Sequence, residues 1–137
     1  MMALRTKGKY HYGDDQEDLS LELKRYAESN QYPVDEVAII KCDMCGQTTF
    51  ELFSDDDESA AMLRCASCAE KKFIGDSKTY INQDEVDNHE CICGNENLAI
   101  SVGLSFYKGT KDARWVYVGG YCSSCGMLGN YIDWNER

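Results

Sequence analysis

The residues of this chain best suited to chemistry are its eight cysteines, and all eight fall in four close pairs. Cys42 and Cys45 lie in KCDMCG, and Cys65 and Cys68 in RCASCA. Cys91 and Cys93 lie in ECICG, and Cys122 and Cys125 in YCSSCG. Thiolates are soft donors, and a tetrahedral zinc ion takes four of them at about 2.3 Å. A pair separated by two residues presents two sulfurs from one tight turn. Two such turns meet when the chain between them folds as a hairpin. The expected ligand sets are therefore Cys42, Cys45, Cys65 and Cys68 for one zinc, and Cys91, Cys93, Cys122 and Cys125 for a second. Glycine follows Cys45, Cys93 and Cys125, where the turn needs a residue tolerant of positive φ. The one-residue spacer between Cys91 and Cys93 departs from the usual pair.

Other uses of cysteine fit less well. A disulfide scaffold goes with export, and the opening MMALRTKGKYHYGDD is basic with no apolar stretch behind the charges. A redox dithiol is one pair opening a helix, whereas here four pairs frame hairpins. Iron in a rubredoxin-like site is the alternative metal, since it takes the same ligands. A site closed by four thiolates leaves no open position, so its metal is structural and not catalytic. His89, in NHECICG, is a possible substitute ligand at the second site, but reads more simply as a surface histidine. His11 reads as a strand or loop residue. The acidic run Asp55, Asp56, Asp57 and Glu58 lacks the glycine and distal glutamate of a calcium loop and reads as a solvated hairpin turn.

The elements that must position the cysteines follow from periodicity. Asp14 with Glu17 reads as a capping box. Leu19, Leu23, Tyr26 and Ala27 then form one apolar stripe of a helix over about residues 15–29. Asn30 in a left-handed conformation and Pro33 end it, and Glu22, Arg25, Glu28 and Ser29 make its solvated face. VDEVAIIK, TTFELF, AAMLRC and KKFIGD read as strands around the first two pairs. LAISVGLSFY alternates cleanly, with Leu98, Ile100, Val102, Leu104 and Phe106 on one face. RWVYVGGY returns to Cys122, and MLGNYIDW follows Cys125.

Each half therefore reads as knuckle, hairpin, knuckle, strand, as an internal duplication would produce. The fold class is mostly β, a small α+β protein with an N-terminal helix and two tandem zinc ribbons on antiparallel hairpins. Residues 1–33 form the basic arm and helix, 34–76 the first ribbon, 77–90 a linker with a short strand at Thr79 to Ile81, and 91–137 the second ribbon. Ribbons this small need the metal as a staple.

The pairs CDMCG, CASC, CICG and CSSCG, with LRTKGKYHYGDDQEDL and the closing YIDW, resemble a group of small bacterial double-zinc-ribbon proteins without assigned activity. The resemblance implies the fold and the metal at the eight cysteines, and no substrate.

With the cysteines committed to architecture, no nucleophile motif, phosphate-binding glycine loop or histidine–carboxylate metal pair remains, and the chain reads as a non-enzyme. No apolar run reaches the ~18 residues of a membrane span, and with no export signal the expected location is the cytoplasm. The net charge is −10; residues 1–12 hold Arg5, Lys7 and Lys9 and no acid, so the remainder carries −13. Such a body repels a phosphate backbone at long range and attracts basic surfaces, so a basic protein is the expected partner and nucleic acid is disfavoured. The function this favours is protein–protein binding, as an acidic inhibitor or immunity-type partner of a basic protein such as a bacterial nuclease toxin. Trp115, Tyr117, Tyr121, Tyr131 and Trp134 are its candidate anchors. The alternative is a nucleic-acid-associated or transcription-type zinc-ribbon adaptor using the basic arm, with Lys7, Lys9, Tyr10 and Tyr12 interleaved.

Overall fold

The alternating segment that begins at Leu98 is the middle of one antiparallel ten-stranded sheet. The computed structural model describes the backbone of residues 5–7 and 10–136, and the side chains of residues 10–136. Strands β1 (Arg5–Lys7) and β2 (Tyr10–Tyr12) precede helix α1 (Gln16–Glu28). Then come β3 (Glu36–Ile39), β4 (Thr49–Asp55), β5 (Ala60–Cys65) and β6 (Lys71–Phe73). The short helix α2 (Ser77–Tyr80) and a 3-10 turn (Gln83–Glu85) lead to β7 (Asp87–His89). The last strands are β8 (Leu98–Phe106), β9 (Ala113–Tyr121) and β10 (Met127–Asn135). The sheet order is β1-β2-β10-β9-β8-β4-β5-β6, with β3 also along β8 and β7 also along β4.

The two halves of the chain follow one plan. Arg64, just before Cys65, pairs with Lys71 in β6; Tyr121, just before Cys122, pairs with Leu128 in β10. Phe50 and Leu98 stand at the same distance beyond Cys45 and Cys93, and they face each other where β4 meets β8. The leading strands are exchanged about this point. Ile39 of β3 pairs with Ser101 of β8, while His89 of β7 pairs with Leu52 of β4. A local two-fold axis through the Phe50–Leu98 pair accounts for all of these registers. The main core gathers here: Phe50, Leu52, Leu63, Leu98, Ile100 and Val118 are all at most 1% exposed.

Helix α1 covers the other face of β8, β9 and β10. Leu19, Leu23 and Ala27 are fully buried against Tyr117 and Leu128, as their spacing requires. Gly119 lets the helix approach: a Cβ there would lie 2.8 Å from Leu23 and 2.9 Å from Leu19. Burying each leucine contributes about 1.5–3 kcal/mol. Gln16 fixes the first turn, donating from Nε2 to the Ile100 carbonyl at 2.9 Å.

Several local expectations are corrected. The cap is Asp15, whose Oδ1 accepts from the Asp18 amide, while Asp18 Oδ2 accepts from the Asp14 amide at 2.7 Å. The capping box is thus one residue later than Asp14 with Glu17. The left-handed residue after the helix is Gln31, at φ 67°, and Asn30 instead donates to the Tyr117 hydroxyl. Glu22 is not solvated: it is 3% exposed, bridged by Arg25 at 2.6 and 2.8 Å and faced by His11 at 3.5 Å. The second face of α1 is covered because β2 extends the sheet beyond β10. Thr79 lies in a helical turn rather than a strand.

The segment from α2 to β7 is bound to the first hairpin. Ser77 Oγ accepts from the Ala61 amide, and buried Asp55 accepts from the Asn82 amide. Asp55 also caps its own turn through the Glu58 amide, so the head of the acidic run is structural, not solvated.

Candidate metal centres

Each cysteine pair sits in a turn set by backbone hydrogen bonds. In the first knuckle the Cys42 amide donates to the Gln47 carbonyl and the Gly46 amide to the Cys42 carbonyl. The Cys65 and Cys122 knuckles repeat this through Glu70 with Ala69 and through Met127 with Gly126. The Cys91 knuckle is one residue shorter, yet keeps both bonds, from Cys91 to Asn95 and from Gly94 to Cys91. The deletion therefore tightens the turn without moving its ends. In all four, the residue after the second cysteine has positive φ: Gly46 at 76°, Ala69 at 64°, Gly94 at 94° and Gly126 at 86°.

These turns bring together Cys42, Cys45, Cys65 and Cys68 in one cluster, and Cys91, Cys93, Cys122 and Cys125 in the other. Within each, all four sulfurs lie within 4.8 Å of one another. The closest approaches are 3.5 Å for Cys42–Cys68 and Cys45–Cys65, 3.3 Å for Cys91–Cys125 and 3.6 Å for Cys93–Cys122. Sulfurs at the corners of a tetrahedral zinc site stand about 3.8 Å apart. The donor set therefore fits a soft four-coordinate metal, and all eight cysteines are free of disulfides. In each cluster the first cysteine of each pair is buried and the second is exposed, so one side of each site faces the core and the other faces solvent.

The electrostatics are matched as well. Amide hydrogens of Cys68 and Ser67 hold the Cys65 thiol down at about 6, against its burial. Burial pushes Cys122 up, but the Asn95 side chain and the amides of Cys125 and Ser124 outweigh it and bring it to about 6. Asn95 Nδ2 reaches the Cys122 sulfur at 3.4 Å. The Glu70 amide favours the Cys68 thiolate, but the facing Cys42 sulfur and burial push it up to about 12. Burial pushes Cys91 up too. Each cluster thus has one ready thiolate beside two thiols that are pushed up, Cys45 and Cys68 in the first and Cys91 and Cys125 in the second. A bound dication would supply the compensation that a second and third thiolate need.

His89 takes no part in either cluster. Its Nε2 meets the Ser54 hydroxyl at 2.5 Å, and its ring packs edge-on against Tyr131. Of the proposed partner anchors, Tyr117 and Trp134 are buried at 0% and 2% exposure and offer no surface. Trp115 stacks on Tyr32 and donates to Asp133, Tyr121 donates to the Asp14 carbonyl, and the Tyr131 ring lies against the main core. These three are part of the packing with one edge toward water. The side chains of Arg5, Lys7 and Lys9, on which the basic-arm reading rests, lie outside the described residues. No helix among the described residues is long and apolar enough to cross a membrane.

No family model, curated protein or solved structure matches this chain.

Proposed function

We propose that this chain is a non-catalytic zinc protein of the double-zinc-ribbon kind. Its metals hold a rigid sheet, and its activity is to bind a basic protein as an inhibitor or immunity-type partner. The observation that carries the metal is the pair of four-sulfur clusters, each drawn from two knuckles at the ends of one hairpin. Four protein sulfurs complete a tetrahedral shell and leave no position for substrate, which favours an architectural role. Zinc is preferred to iron as the redox-inert occupant of such a site. The partner reading rests on the net charge of −10. The cytoplasm is the compartment we assign, because thiols stay reduced there.

Elemental analysis of the purified protein tests the metal: two zinc ions per chain are expected, falling to one in Cys125→Ser. A content near zero with oxidised sulfurs would overturn it. Affinity capture from the native organism tests the partner. Basic proteins should be retained at low salt and released as ions screen contacts beyond a Debye length of about 8 Å at physiological strength. Recovery of acidic proteins alone counts against the basic-partner reading.

A further inference from the structure

The hairpin of β8 and β9 ends in a tip whose charge opposes that of the molecule. Acids outnumber bases 24 to 14 over the chain. At this tip Lys108, Lys111 and Arg114 gather around a cavity of about 470 Å³. None of the three forms an ion pair with an acid among the described residues. Two acids lie near them, Asp35 in the cavity wall, which accepts from the Phe106 amide at 2.8 Å, and Asp112 in the loop, so the local balance is three bases to two acids.

Aromatic rings, not carboxylates, hold two of these cations. The Arg114 guanidinium lies 4.4 Å from the Tyr32 ring centre and 5.8 Å from that of Tyr107. Lys111 Nζ lies 5.3 Å from the Phe106 ring centre. Tyr32 is in turn stacked flat on Trp115 at 4.6 Å. A ring positions a cation without neutralising it, so the tip keeps its positive charge on a firm base. Tyr107 is 47% exposed and offers a planar surface beside the charges.

We propose that this tip binds single-stranded nucleic acid, with phosphates on Lys108, Lys111 and Arg114 and a base against Tyr107. Cations that follow a backbone, next to an exposed ring, are the combination that single strands use. A duplex hides its base faces, and an acidic peptide would engage the cations while leaving the ring idle. The site is separate from the basic-partner reading. It lies at the far end of β8 from the second metal cluster, roughly 30 Å along the strand.

The test is fluorescence anisotropy of a labelled oligo-dT strand of about twelve nucleotides with the full zinc-loaded chain at about 50 mM salt. Binding is expected with a dissociation constant on the order of 10–100 μM, since the acidic body opposes it. Three phosphate contacts give a log–log salt slope of about −2. The Lys108→Ala/Lys111→Ala variant should bind at least tenfold more weakly with an unchanged melting temperature, and Tyr107→Ala at least about fivefold more weakly. Absence of binding, or affinity unchanged in the double lysine variant, would overturn the proposal. So would equal binding to duplex, or loss only when Arg5, Lys7 and Lys9 become Ala. A polyglutamate peptide that bound as tightly, with no effect of Tyr107→Ala, would make the tip an acidic-peptide dock instead.

Discussion

Ala69 stands where the other three knuckles have glycine, and it adopts the same left-handed backbone, at φ 64°. For an L-residue with a Cβ that conformation costs roughly 1–2 kcal/mol. Glycine there loses some of the gain to its freer unfolded chain. Ala69→Gly is therefore expected to stabilise the zinc-loaded protein by about 0.5–1 kcal/mol. Thermal unfolding checks this, and an equal or lower midpoint would contradict the strain. At this scale much of the metal site was legible: ligand identity follows from spacing, and three of the four turn positions from glycine. What was not legible was Glu22. Its helical position is at the edge of the apolar stripe, three residues after Leu19 and four before Tyr26, and the pairing of His11 with Leu128 brings a strand over it. The cap was misplaced for a different reason, since Asp14 and Asp15 are adjacent and chemically identical.

At the scale of elements, the contact between α1 and the sheet depends on Gly119. A valine there would drive its methyl groups into Leu19 and Leu23, which are fully buried and have no room to retreat. Overpacking of this kind costs about 1–3 kcal/mol. Gly119→Val should lower the melting temperature accordingly while the zinc content stays at two per chain. A variant as stable as the parent would mean that the helix can move aside easily. The strands of the second hairpin were readable from the alternation of β8 and the valines of β9, whereas β5, AAMLRC, carries neither sign and was placed by the cysteine spacing. The segment 77–90 was not readable, because its order comes from the long-range bonds of Ser77 and Asp55 and not from any pattern of its own.

For the whole molecule, the exchange of leading strands couples the two metal sites. β3 leads to Cys42 but pairs with β8 of the second half; β7 leads to Cys91 but pairs with β4 of the first. Disturbing one site therefore loosens a strand that flanks the other half's hairpin. Cys45→Ser is expected to speed release of the remaining zinc to a chromophoric chelator several-fold relative to the parent. Release at the parental rate would show the halves to be independent. Sequence periodicity cannot reveal the exchange, because β3 and β7 are short and exposed enough to suit either neighbour.

The matched registers on either side of the Phe50–Leu98 pair carry a further meaning. Pairings that join the halves across this seam have counterparts when the halves are interchanged: Ala38–Val102 and Ile39–Ser101 answer to Asp87–Ser54 and Asn88–Phe53. A chain of half the length could build the same sheet by lending its leading strand to an identical copy. The strand exchange of the present molecule has the form that such a pair would take.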